Sequence, residues 1–522
     1  MPQADDTGRL RTCIKHITFI LNDTSLITPE KINLLLSILD INLNAVNSQI
    51  LIFAKADHLK PEITNNMIDT NYAYHRIMFL SLIKLIEMSY SRSSHQQPST
   101  HVKLALITRA LISAIHMLEW RYFEHAMAPA NLWKQTSHLY QYALNDAIHK
   151  ESFQPYQDMA STTIESLMLQ LYMLGGLNFN NLVNQQVKVI SDLLALWTKE
   201  IRVKNKMEDF HTFYIDLNKD QPAQRIRKST PTVLCLYWDL DEIEYTVDSA
   251  IESINSNKKL PLLDNVAIQN PILIKETLQF LKKEWSRSDY RRQRRKESRH
   301  EINKQAIINI GIKPVSECLN QLDLNAQSVR GLLDGSLNNK NVTTSVVVSG
   351  TANTLVVGKE KWNITDESQL GLGTLIQHNN KLEIKPSKLV SILTTQSHAH
   401  PAIGVVRNIK QIAGGNLKIG MEVFTDHPNL AYLKKFEIKK EPEANQTSNP
   451  NEHIPNPEFA SIYIPKNVLA NNVSSLILPK TEYIPNTLYE VRLKNKREIV
   501  KLENPIEHGD DWVKVNFPEE LL

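Results

Sequence analysis

From about residue 8 to residue 205 the apolar positions return every three or four residues, the spacing of one helix face. In HVKLALITRALISAIHMLEWRYFEHAM (101–127), Leu104, Ile107, Leu111, Ile115 and Leu118 fall along one face, and Pro129 follows the end of the run. NLWKQTSHLYQYALNDAI (131–148), STTIESLMLQLYML (161–174) and NLVNQQVKVISDLLALWTKEI (181–201) continue the pattern across short polar or Gly-Gly breaks. The spacing predicts an all-α array of antiparallel neighbours. From residue 300 the period changes to two: IINIGI, TTSVVVSG, TLVVG, KWNIT, KLEIK, AIGVVRNI, LKIGMEVF, ASIYIP, SSLILP and YEVRL alternate or are β-branched. Gly, Asn and Pro separate them, as in an antiparallel barrel or sandwich. AIGVVRNIKQIAGGNLKIGMEVF is the clearest hairpin, two strands around Gly414 and Gly415.

LWKQTSHLYQYA loosely resembles the first helix of a tetratricopeptide unit, but the pattern does not recur at a period of ~34 residues, so an irregular bundle with Trp and Tyr in its core is the better reading. Residues 206–285 mix the signals: FYIDL and TVLCLYW predict strands, DLDEIEYTVDSAIESI and ILIKETLQFLKKEW helices. The expected fold class is therefore multidomain α + β. A helical domain over 1–205 and a mixed α/β connector over 206–285 precede a β-barrel over 286–438 with an inserted helical segment near 313–335, centred on PVSECLNQL. The Pro- and Asn-rich stretch 439–459 is a linker, and 460–522 a C-terminal β-rich unit.

The chain has 522 residues, too many for one ordinary core, which agrees with several domains. Its formal charge of +3 creates no chain-wide field toward polyanions, so a site for an anionic partner must be local. Cys13, Cys235 and Cys318 stand far apart with no CxxC pair, which argues against a disulfide framework or structural zinc and fits a reducing compartment. No signal-peptide layout opens the chain and no uninterrupted apolar run of ~18 residues occurs, so a cytoplasmic protein without membrane insertion is expected. GxGxxG, P-loop, GxSxG and HExxH patterns are absent; LGLGTL follows a strand but opens no helix. His398 and His400 lack a third ligand at metal spacing. No catalytic set, metal or cofactor is expected.

The departure from neutrality is YRRQRRKESRH (290–300), five arginines and a lysine in eleven residues. A basic helix end is the plain reading, since cations near a helix C-terminus gain ~0.3–1 kcal/mol from the dipole. Nucleic-acid contact by the basic 282–300 segment is an alternative, but no interleaved aromatic platform accompanies it. KWNITDESQLGLGTL (361–375) changes the balance. Asp366 and Ser368 are two apart on a strand and so face one side, and Gly371 permits a close backbone approach where the chain turns.

An RxxxR ahead of a barrel and a [D/N]xSxxG on one of its strands resemble the PilZ domain family of cyclic di-GMP receptors. The order agrees, as do the W-x-I-x-D lead-in, the Gly-Leu-Gly exit and GVVRNIKQIAGGNLKIGMEVF (404–424). The resemblance covers roughly 290–436 and implies a six-stranded antiparallel barrel with cyclic di-GMP as ligand. Arg295 and Arg299 are the expected pair, Arg294 an accessory and Arg291 the main rival, because 291/295 has the same spacing. Asp366, Ser368 and Gly371 complete the implied site. Planar guanidinium groups fork onto guanine O6 and N7 or onto phosphate and stack on a purine, while a carboxylate accepts from guanine N1 and N2. Residues 300–365 separate the two motifs, a longer interval than the family's usual short strand pair. The function implied is a non-enzymatic bacterial receptor that changes conformation on binding and controls an unidentified protein partner through its helical domain, in motility, type IV pilus function or biofilm formation. The alternatives are a nucleic-acid-binding protein and a degenerate PilZ-like docking module without nucleotide.

Overall fold

The structure, a computed structural model, describes residues 3–22, 29–56, 61–90, 98–226, 234–256, 258, 264, 266–286, 299–333, 360–368, 370–377, 384–394, 401–412, 415–436, 457–466, 473–494 and 496–517, with backbone alone at 3–5, 21–22, 61 and 323–333. Two compact units divide the chain, Met1–Arg294 and Arg295–Leu522.

The first unit begins with α1 (Gln3–Asn22), α2 (Pro29–Lys55), α3 (Pro61–Tyr90), α4 (Thr100–Phe123), α5 (Leu132–Asn145), α6 (Ile164–Gly176) and α7 (Asn184–Trp197). Apolar residues occupy α4 on every side, and it is correspondingly buried almost throughout, as a central helix must be. Its one buried cation is fully engaged: Arg109 donates to the carbonyls of Pro155 at 3.0 Å and Leu36 at 2.9 Å and pairs with Asp40 at 2.9 Å. Trp133 and Tyr140, which carry the repeat-like motif, lie in the core. The apolar stretches of α2 and α4 are each long enough to cross a membrane, and are 39% and 78% buried within the structure.

The chain continues through β1 (Phe213–Asp216), β2 (Gln224–Arg225) and β3 (Cys235–Trp238), which form one antiparallel sheet in the order β2-β1-β3. Next come α8 (Asp241–Asn255) and α9 (Pro271–Trp285). Trp238, Leu278 and Trp285 share the helices' apolar core, so residues 206–285 pack as another layer of the same unit. The α9 boundaries follow from local chemistry. Asn270 accepts from the Ile272 and Leu273 N–H groups, Pro271 sits where its missing donor costs nothing, and Lys282 and Lys283 occupy the last turn. Lys282 also pairs with Asp248 at 2.6 Å, so this part of the basic segment is engaged within the helical unit.

The second unit opens with β4 (His300–Ile310) and α10 (Ile312–Leu333), then β5 (Glu360–Ser368), β6 (Gly371–Gln377), β7 (Leu389–Thr394), β8 (Ala402–Gln411) and β9 (Asn416–Thr425). These strands close an antiparallel barrel in the order β4-β5-β6-β9-β8-β7, the fold class expected from the period-two segments. Inside, Ala306, Ile308, Trp362, Ile364, Ile419 and Met421 form one cluster. Gly311 turns the chain out of β4 at φ +93°, a conformation open to glycine, and Asp511 accepts the Ile312 N–H at 2.9 Å to cap α10. The strands expected at 343–350 and 354–358 lie outside the described residues, as do 439–456 of the expected linker.

β10 (Asn429–Lys435), β11 (Phe459–Ile464), β12 (Ser475–Pro479), β13 (Thr487–Leu493), β14 (Lys496–Leu502), β15 (Glu507–His508) and β16 (Trp512–Asn516) form a seven-stranded antiparallel sheet in the order β14-β13-β10-β11-β12-β16-β15. Its first strand thus precedes the Pro- and Asn-rich stretch. A second cluster joins it to the barrel: Val315 of α10, Val405 and Phe424 of the barrel, and Ile462, Ile477 and Trp512 of the sheet. Trp512 is fully buried and donates to the Ser387 carbonyl at 2.9 Å. Trp512→Ala should cost about 3–5 kcal/mol, the usual range for a large aromatic removed from a core. Denaturant titration followed by barrel and sheet probes should show both melting together.

Candidate functional site

The site is built by a change of parity in β5. Trp362 and Ile364 point into the barrel, and strict alternation would send Asp366 and Ser368 after them. Between Ile364 and Asp366 the register against β6 shifts by one, leaving Thr365 as an extra residue whose hydroxyl donates to the Gly373 carbonyl at 3.3 Å. Such a bulge re-aims everything beyond it. Asp366 now pairs with Gly373 and Ser368 with Gly371, and both acquire the outward direction. A second bulge, between Glu301 and Lys304 of β4, keeps the neighbouring strand in step, so Glu301 lies opposite Asp366.

Arg299 immediately precedes β4, and its Nη1 donates to Asp366 Oδ1 in an ion pair whose side chains are 21% and 15% exposed. The Ser368 hydroxyl donates to the Gly371 carbonyl at 3.3 Å. A methyl group on Gly371 would lie 3.2 Å from Ser368 Oγ and 3.5 Å from Arg299 Nη2, and one on Gly373 would overlap the Asp366 carboxylate. These two glycines therefore let a guanidinium, a carboxylate and a hydroxyl lie directly over the backbone of β6 on the outer face, and both glycines are buried beneath them. Lys304 and Glu367 pair at 3.1 Å on the opposite face of the strands, Lys304 lying opposite Ile364 and Glu367 opposite Leu372.

Of the residues implicated from sequence, Arg299, Asp366, Ser368 and Gly371 thus meet on one surface. Arg291, Arg294 and Arg295 lie outside the described residues, as do His398 and His400. Among the described residues no group of three or more His, Cys, Asp or Glu is arranged to hold a metal. Sequence reasoning passed over Gly373, although the alternation Gly371-Leu372-Gly373 contained the signal: two glycines at i and i+2 of a strand clear one face.

Beyond these glycines, Glu422 of β9 pairs with Gly371. Arg407 of β8 bridges Glu422 and Glu507, tying the barrel to the C-terminal sheet. Burial opposes its charge, but the bond to Glu507 and the charges of Glu507 and Glu422 outweigh burial and raise its pKa.

With this geometry in place, comparison with known proteins adds a second line of information. Residues 1–207 match the family model described as "Cyclic-di-GMP receptor FimW, N-terminal domain". The match spans the helices α1–α7 and stops before β1; it includes none of the barrel. The N-terminal part of this chain is thus similar to the corresponding part of a cyclic di-GMP receptor. No curated protein matches the chain.

Chemically, the surface offers donors and an acceptor around a flat floor, which suits a planar group carrying donors of its own together with an anion. In the free protein Arg299 and Asp366 satisfy each other. With the side chains 21% and 15% exposed, a double-mutant cycle on Arg299→Ala and Asp366→Ala, read by denaturant unfolding, should give a favourable coupling of about 0.5–3 kcal/mol.

Proposed function

We propose that the barrel is a PilZ domain and that the chain is a cytoplasmic, non-enzymatic receptor for cyclic di-GMP. The observation that carries this reading is the meeting of Arg299, Asp366, Ser368 and Gly371 on one outer face of the barrel. These groups come from two segments separated by residues 300–365, and they are four of the residues that the resemblance implies, Arg294 and Arg295 lying outside the described residues. The match of residues 1–207 to a receptor's N-terminal domain supports the same ligand from an unrelated part of the chain.

In the bound state the Asp366 carboxylate accepts from guanine N1–H and N2–H, and Arg299 turns from Asp366 to guanine O6 and N7 or to a phosphate. Arg295, with Arg294 beside it, supplies the second guanidinium. The exchange leaves neither charge unpaired, since the ligand's contacts replace those that Arg299 and Asp366 make with each other. The arginine segment also joins the two units in sequence, so engaging it on a ligand biases the conformation of that connection. The helical domain passes the change to a protein partner that governs motility, type IV pilus function or biofilm formation.

Calorimetric titration of the full chain with cyclic di-GMP tests the proposal. Wild type should bind, and Arg295→Ala, Arg299→Ala and Asp366→Ala should each weaken binding about tenfold or more, the scale of one lost bidentate contact. No heat with wild type, or unchanged affinity in all three variants, overturns it.

A further inference from the structure

The row of glycines does not end at β6. Gly373 pairs directly with Gly420 of β9, and Gly420 pairs with Asn408 of β8. Ile419 and Met421, on either side of Gly420, point into the barrel core, so Gly420 presents its free side outward. A methyl group there would lie 2.6 Å from Asn408 Nδ2 and 2.8 Å from Asn408 Oδ1. The Asn408 carboxamide therefore folds over Gly420 from β8 just as the Asp366 carboxylate folds over Gly373 from β5.

Both side chains owe their direction to the same device. The register of β8 against β9 shifts between Val406 and Asn408, as that of β5 shifts between Ile364 and Asp366. Val406 points into the core, Arg407 is the extra residue, and Asn408 comes out on the exposed face. Arg407 itself is held by Glu422 and Glu507, which leaves the carboxamide as the polar group over this part of the platform.

Residues directly opposite on antiparallel strands hold their Cβ positions about 4.5–5.5 Å apart. A carboxylate over Gly373 and a carboxamide over Gly420 thus stand side by side at about the width of a base edge. A carboxylate only accepts hydrogen bonds, whereas a carboxamide also donates. Guanine presents the matching order along one edge, with N2–H and N1–H as donors and O6 as an acceptor. Adenine presents a donor where guanine has O6.

We propose that Asn408 is a specificity-determining residue of the nucleotide site: its carboxamide donates to guanine O6 while Asp366 accepts from N1–H and N2–H. This rests on the receptor reading given above. The test is calorimetry of the full chain with cyclic di-GMP, with cyclic di-AMP measured by competition, for wild type, Asn408→Leu and Asn408→Asp. Asn408→Leu should reduce the preference for cyclic di-GMP over cyclic di-AMP about tenfold with little change in melting temperature. Asn408→Asp, which puts an acceptor opposite O6, should reduce it at least as much. A preference unchanged in both variants, or both dinucleotides weakened equally, overturns the role of Asn408 while leaving the receptor reading intact. Wild type that fails to bind cyclic di-GMP overturns both.

Discussion

The architecture of the site depends on one extra residue in a β-strand. Thr365 breaks the alternation of β5, so Trp362 and Ile364 fill the barrel while Asp366 and Ser368 face outward. Without that shift the carboxylate would point at the apolar interior, where an unpaired charge costs several kcal/mol. The glycines of β6 then become necessary, since a side chain at Gly373 would occupy the space of the Asp366 carboxylate. Strand register, glycine placement and polar chemistry are thus parts of one constraint.

The ion pair between Arg299 and Asp366 has a corresponding logic. It satisfies both groups, so that neither is left as an unpaired charge at a position only 21% and 15% exposed. Arg407 is the contrast, since it holds two carboxylates and links the barrel to the sheet that covers Phe424 and Val405. One arginine pairs with a single carboxylate and the other with two.

Much of this organisation was legible in the sequence because it follows from periodicity. The three-and-four spacing located α4 to α7, and the switch to period two located the barrel strands. Asp366, Ser368 and Arg299 were identifiable because motif spacing expresses a shared face. The bulges were not legible: nothing in WNITDES or VVRNI marks the extra residue, which is set by pairing with β6 and β9. Asn408 and Gly420 escaped for that reason, because their relation to Asp366 passes through the pairing of β6 with β9, which are distant in sequence. The joining of β10 to the C-terminal sheet was hidden likewise, since a polar, Pro-rich stretch signals a boundary although the strands on either side of it pair.

The most direct test of this account is a crystal structure of the full chain with cyclic di-GMP. The account predicts a guanine edge over the Gly371–Gly373 strip, Asp366 bonded to its N1 and N2 groups, and Arg299 moved from Asp366 onto the ligand. A dinucleotide bound elsewhere, with the Arg299–Asp366 pair intact, would contradict it.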